Sequence, residues 1–137
     1  MNKIRMIALA ACMAATLDAA AQEQEIRLFS HRGGRMEHDE NTLSAFQASY
    51  DAGYRGFETD IRMTRDGALV ITHDSSLERT TDGTGTVEEK TEAEIRRLRT
   101  KQGNKVLFLD ELLEFLEGKE GLYVEFEMKT HPAALYP

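Results

Sequence analysis

Gly56-Phe57-Glu58-Thr59-Asp60-Ile61-Arg62-Met63 reads as a β-strand with two acidic residues at alternate positions. Residues two apart on a strand project from the same face, so the carboxylates of Glu58 and Asp60 stand side by side. Upstream, Ile26-Arg27-Leu28-Phe29-Ser30 is a shorter β-type run, broken by the two glycines of His31-Arg32-Gly33-Gly34. Between these strands, Asn41 or Thr42 can cap a helix that carries Leu43, Phe46 and Tyr50 on one side and stops near Gly53. Downstream, Ala68-Leu69-Val70-Ile71-Thr72 forms a third strand after the tight-turn pair Asp66-Gly67. A turn-rich stretch runs from Thr80 to Thr86. Thr91 with Glu94 then makes a capping box for a helix bearing Ile95 and Leu98. Asp110 can cap another helix, with Leu112, Leu113 and Leu116 inward and Gly118 just past its end. Leu122 to Lys129 is a fourth strand, alternating apolar with charged residues. Strand, helix, strand at roughly thirty residues per repeat predicts α/β architecture with a parallel sheet.

Composition narrows the function classes. The 137 residues carry 17 Lys and Arg against 24 Asp and Glu, a net charge of −7, with an apolar fraction of 41%. That balance suits one globular domain with one modest core. It argues against nucleic acid as the main partner, because neutralising phosphates needs clustered Lys and Arg. A single cysteine, Cys12, excludes an intrachain disulfide framework and a multi-cysteine zinc site. Beyond the first twenty or so residues no segment is long and apolar enough to be a transmembrane segment.

The start of the chain has the layout of a secretory signal peptide over residues 1–21. Lys3 and Arg5 precede an apolar stretch from Met6 to Leu17, and Ala19-Ala20-Ala21 offers a small-residue cleavage site before Gln22. The expectation is an exported chain, periplasmic or secreted. Leu9-Ala10-Ala11-Cys12 is the alternative signal, a lipoprotein box that would place a lipid anchor on Cys12.

The residues with chemical potential gather at strand ends. Two unpaired carboxylates at Glu58 and Asp60 repel unless a divalent cation lies between them, and oxygen ligands suit Ca²⁺ or Mg²⁺. Glu127 and Lys129 repeat the two-apart geometry on the fourth strand, where Glu125 shares the same face and is an alternative ligand. His31 closes the first strand and His73 the third, and imidazoles are poised for proton transfer near neutral pH. Arg32 and Lys129 supply positive charge suited to a phosphate or carboxylate. Taken singly, each has a plainer reading: solvent-facing acids on a strand, or a loop histidine before Asp74. Asp82-Gly83-Thr84-Gly85 lacks the spacing of a phosphate loop and reads as a turn. His38 and His131 read as surface residues.

The arrangement as a whole says more. His31-Arg32-Gly33, Glu40-Asn41-Thr42, Phe57-Glu58-Thr59-Asp60, Thr64-Arg65-Asp66-Gly67, His73-Asp74, Leu77 to Gly85 and Glu127-Met128-Lys129 follow in order. This series resembles the glycerophosphodiester phosphodiesterase family, from His31 through Lys129. The resemblance implies a parallel (β/α) TIM-type barrel with its site at the carboxyl ends of the strands. It implies hydrolysis of a small-molecule glycerophosphodiester, such as glycerophosphocholine, to an alcohol and glycerol 3-phosphate. By the family pattern Glu58, Asp60 and Glu127 would hold one divalent cation, Ca²⁺ or Mg²⁺. His31 and His73 would be the acid and base, and Arg32 and Lys129 would bind the phosphate. Asp39 stands where the family usually has Pro, a change expected to loosen the loop, and Thr59 replaces the usual Leu. A (β/α)₈ barrel takes about 250 residues. Residues 22–137 would then be its amino-terminal half, four strands, and the chain alone is expected to fold weakly and act poorly. An inactive remnant, a metal- or phosphate-binding module, and a lysophospholipase D-type hydrolase are the alternatives.

Overall fold

A computed structural model describes residues 27–130. Residues 1–21, read from the sequence as a signal peptide, with Cys12 among them, and Ile26 and His131 lie outside the described residues. In chain order the elements are β1 (Phe29–His31), α1 (Leu43–Asp51), β2 (Gly56–Met63), β3 (Leu69–Ile71), a 3₁₀ turn (Val87–Glu89), α2 (Glu92–Ile95), α3 (Leu109–Leu116) and β4 (Tyr123–Met128).

The stretch Gly56–Met63 is the middle of the sheet. β1 runs parallel to it, with His31 opposite Glu58. β4 runs parallel along the whole first part of β2, with Asp60 opposite Glu127. Both neighbours pair with residues 56–58, so they occupy opposite edges of β2. These three strands and the helices following β1 and β3 form part of a (β/α) barrel wall. The third strand departs from the expected parallel order. β3 folds back antiparallel on Ile61–Met63, Ile61 facing Ile71. Its cause is the Asp66-Gly67 turn. Gly67 takes φ +93°, and Thr64 N–H bonds Ala68 C=O at 2.9 Å. A turn this short joins only antiparallel strands, since a parallel return needs a dozen or more residues of crossover.

Two apolar clusters replace the single core expected. One lies between the sheet and helices α1 and α3: Phe46, Phe57, Ile61, Ile71, Leu107 and Leu112. The other, Val70, Leu77, Val87, Ile95, Val106 and Phe108, closes under the excursion between β3 and α3. Because Phe57 and Ile61 face the helices, strand alternation turns Glu58 and Asp60 to the opposite face. On β4 the same alternation points Phe126 and Met128 to the helix side, where they are 38% and 47% exposed.

Helix ends follow local chemistry. Thr42, rather than Asn41, caps α1, accepting from Ala45 N–H at 3.3 Å, and Gly53 follows at φ +94°. The Thr91–Glu94 capping box forms as expected. At α3 the cap is Phe108 instead of Asp110: Glu111 accepts the Phe108 N–H at 3.0 Å. Asp110 sits in the first turn, where its charge still favours the helix dipole. Leu112 is buried, but Leu113, expected inward, is 50% exposed.

Candidate active site

The sheet brings together residues far apart in sequence. Glu58 and Asp60 from β2 and Glu127 from β4 each present a carboxylate oxygen, all within 4.8 Å of one another. Parallel pairing with Asp60 opposite Glu127 puts them there. Glu125, two residues earlier, pairs with Glu58 and stays outside this group. Of the two β4 acids, Glu127 is the one that joins this group.

Cations ring the cluster. Arg32 is buried, follows β1 at φ +53°, and sets its Nε 3.0 Å from Asp60 Oδ2. Its backbone N–H bonds Glu58 C=O at 2.9 Å. Lys129 Nζ lies 2.6 Å from Glu127 Oε1 and 3.4 Å from Asp60 Oδ1. On the other side His31 Nε2 is 3.5 Å from Glu58 Oε2. His73 touches none of the three acids directly, but its charge acts on Glu127. Its Nδ1 bonds Asp74 Oδ1 at 2.6 Å, and Arg62 Nε holds its carbonyl at 2.8 Å.

The carboxylates titrate differently because their surroundings differ. Burial, then the neighbouring Asp60 charge, raises Glu58 above the usual carboxylate range. The hydrogen bond from Lys129 lowers Glu127, and the same bond raises Lys129. Hydrogen bonds from Arg79, then His73, hold Asp74 at about 2.

Could one cation sit here? Asp60 Oδ1 is buried and receives no hydrogen bond from the described residues. Its nearest partner is the Lys129 ammonium at 3.4 Å, and a buried carboxylate oxygen without a hydrogen bond favours a further cationic ligand. Oxygens bound to one ion at about 2.4 Å lie no more than about 4.8 Å apart, and the three acids satisfy that limit. All donors are oxygen, which suits a hard cation. The residues fit a divalent ion.

Several supporting residues escaped sequence reasoning. Asn41, at φ +57°, donates from Nδ2 to Asp60 Oδ2 at 3.1 Å and accepts from Thr59 Oγ1 at 2.9 Å. A carboxylate can only accept, so this amide orientation is the one that satisfies both partners. Glu40 bonds Arg32 at 3.2 Å and Arg79 at 2.7 Å and 3.0 Å. Their signal was the Glu40-Asn41-Thr42 motif itself. Asp39 does the reverse of loosening its loop. It accepts from Thr100 Oγ1 and, at 2.8 Å, from Asn104 Nδ2, tying the loop to the 100–104 turn. Asp82 to Gly85 is a turn as expected, with Asp82 Oδ1 accepting from Arg99 N–H at 2.9 Å. His38 is exposed. A cleft of about 700 Å³ opens at the opposite end of the strands, around Arg55, Gly56 and Tyr123, away from this chemistry. No helix among the described residues is long and apolar enough to cross a membrane.

The sequence model of the glycerophosphoryl diester phosphodiesterase family matches residues 31–135. The chain belongs to that family. A glycerophosphodiester phosphodiesterase from Caldanaerobacter subterraneus is 35% identical over 117 residues, covering 80% of this chain and 47% of that protein. The crystal structure of a glycerophosphodiester phosphodiesterase from Agrobacterium tumefaciens superposes with a TM-score of 0.67 at 36% identity, over 74% of this chain and 47% of that one. An Oleispira antarctica phosphodiesterase, solved in complex with the product sn-glycerol-3-phosphate, gives 0.70 at 30% identity, over 76% and 44%. The chain thus spans about half the length of the family members it matches. Every motif of the family described above falls inside the shared half.

Proposed function

We propose that this chain carries the catalytic half of a metal-dependent hydrolase that cleaves glycerophosphodiesters to an alcohol and glycerol 3-phosphate. The observation that carries the proposal is the convergence of Glu58, Asp60 and Glu127 within 4.8 Å, with Arg32 and Lys129 against them. Family membership and the product bound to the Oleispira relative support the substrate class.

A phosphodiester is anionic, and a nucleophile reaches it only when that charge is masked. Glu58, Asp60 and Glu127 would hold one divalent cation, Ca²⁺ or Mg²⁺. When bound, it offsets phosphate charge and that of the transition state. Arg32 and Lys129 hold the phosphate oxygens. One imidazole of the pair His31 and His73 takes the proton of the attacking hydroxyl, from water or from the substrate's own glycerol. The other protonates the departing alkoxide. The leader-like residues 1–21 support an exported enzyme acting on a small soluble diester.

The test is release of glycerol 3-phosphate from glycerophosphocholine by the 137-residue chain, with Ca²⁺, with Mg²⁺ and with chelator, beside His73→Ala. Slow, metal-dependent release is expected from the chain alone, falling by about 10²- to 10⁴-fold in the variant. Cation binding without release would reduce the chain to a binding module, and a variant with full activity would remove His73 from the mechanism.

A further inference from the structure

Arg79 lies outside the carboxylate cluster, in the loop after β3, yet it touches both arms of the site. Its Nε donates to Asp74 Oδ2. Its two terminal nitrogens meet Glu40 in parallel, Nη1 to Oε2 at 3.0 Å and Nη2 to Oε1 at 2.7 Å. Asp74 in turn engages His73 Nδ1 at 2.6 Å. Glu40 passes its other interaction to Arg32 Nη1 at 3.2 Å, and Arg32 reaches Asp60. Acid and guanidinium therefore alternate from Asp74, which holds the His73 imidazole, through Arg79, Glu40 and Arg32 to the buried acid Asp60.

The chain of contacts is specific to a guanidinium. A lone surface ion pair contributes little, because solvent screens it and two long side chains must be ordered. Here one planar group makes a two-pronged bond to one carboxylate and a third bond to another, the geometry that distinguishes Arg from Lys. Thirty-nine residues separate Glu40 from Arg79, so the contact clamps the loop after β1 to the loop after β3. Those loops carry Arg32 and His73.

We propose that Arg79 is a positioning residue that fixes the His73 tautomer through Asp74 and the Arg32 guanidinium through Glu40 at the same time. A carboxylate can only accept, so a neutral His73 facing Asp74 keeps its proton on Nδ1 and leaves Nε2 bare for proton transfer. The proposal rests on the reading of His73 and Arg32 given under Proposed function.

The test is long-range ¹⁵N–¹H NMR of His73 in the labelled 137-residue chain, at about pH 8, above the usual imidazole pKa of about 6.5. The unaltered chain is expected to carry the proton on Nδ1; a proton on Nε2 overturns the proposal without recourse to any variant. Arg79→Gln and Arg79→Lys are each expected to give mixed tautomers. They should also lower kcat by about 10- to 100-fold, below the range of about 10²- to 10⁴-fold that a placed proton-transfer group supplies, and raise KM for glycerophosphocholine. Variants that are merely less stable, with tautomer, kcat and KM unchanged, overturn it, as does full rescue by Lys. If the unaltered chain releases no glycerol 3-phosphate, the proposed function fails, while the tautomer still decides the role of Arg79.

Discussion

Replacing Asn41 with Ala perturbs the site at one atom group whose contacts are all defined. The wild-type amide donates to Asp60 Oδ2 at 3.1 Å and accepts the Thr59 hydroxyl at 2.9 Å. Asn41, Thr59 and Asp60 are all buried, so water does not replace what is lost. A hydrogen bond to a charged partner contributes about 1.5–3 kcal/mol, and a buried hydroxyl left unpaired costs about 1–3 kcal/mol. Backbone adds to this. At φ +57° Asn is tolerated, while Ala bears the left-handed penalty of about 1–2 kcal/mol. Together Asn41→Ala should lose about 3.5–8 kcal/mol, a large share of the ~5–15 kcal/mol that holds a typical domain. Asn41→Gly removes the same amide but accepts positive φ freely. It should therefore be more stable than Asn41→Ala by about 1 kcal/mol, with both far below wild type. Urea unfolding followed by circular dichroism measures all three. A loss below about 1 kcal/mol in Asn41→Ala, the value of a single ordinary hydrogen bond, would refute the claim that this amide positions Asp60. Equal stability of the Ala and Gly variants would refute the backbone part alone.

Saturating Ca²⁺ or Mg²⁺, at about 100 times its dissociation constant, should stabilise the folded chain by about 2.7 kcal/mol. A thermal melt with and without chelator should show this shift, and Glu58→Gln or Glu127→Gln should abolish it. Gly56→Ala should destabilise by about 1–3 kcal/mol, because a Cβ there would collide with the carbonyl oxygen of Leu28, the residue just before β1; an unchanged melting temperature would contradict the close approach of the two chain segments. Acid should act through Asp74, whose folded pKa is depressed to about 2 by the Arg79 hydrogen bond. A depressed carboxylate contributes stability that is present above its unfolded pKa and is lost as pH falls through the folded value. The stability gap between wild type and Asp74→Asn should therefore be constant above about pH 4 and close toward pH 2; a gap that widens with acid would reverse the sign.

Much of the molecule was present in local sequence. The alternation at Glu58 and Asp60, the Thr91–Glu94 capping box, the end of α1 at Gly53 and the order of motifs from His31 to Lys129 are short-range features. Strand period, cap chemistry and turn residues act within a few positions, so a linear reading captures them. The same locality explains the errors. Asp110 is as good a cap as Phe108 is poor, but the chain enters α3 from the packed Val106–Phe108 segment, and burial of Phe108 sets the first residue. Leu113 fits the apolar stripe, yet it is exposed on this chain.

Which residues meet across the sheet was decided only by tertiary structure. Parallel register, through hydrogen bonds between chain segments more than sixty residues apart, selected Glu127 over Glu125. The antiparallel return of β3, by contrast, follows from the local Asp66-Gly67 turn, whose hairpin signal outweighs the parallel order expected from the strand–helix repeat. Asn41, Glu40 and Arg79 lie inside the motif series, but nothing in their own neighbourhoods says which partners they meet. Their roles come from distance. Folding brings Asn41 under Asp60, where burial and low dielectric make the contact costly to lose, and clamps Glu40 onto Arg79 nearer the surface. The sequence by itself determined the strands, the Thr91–Glu94 capping box and the inventory of acids, imidazoles and cations, because those depend on neighbours along the chain. Only the fold decided which of them share one site, because that depends on neighbours in space.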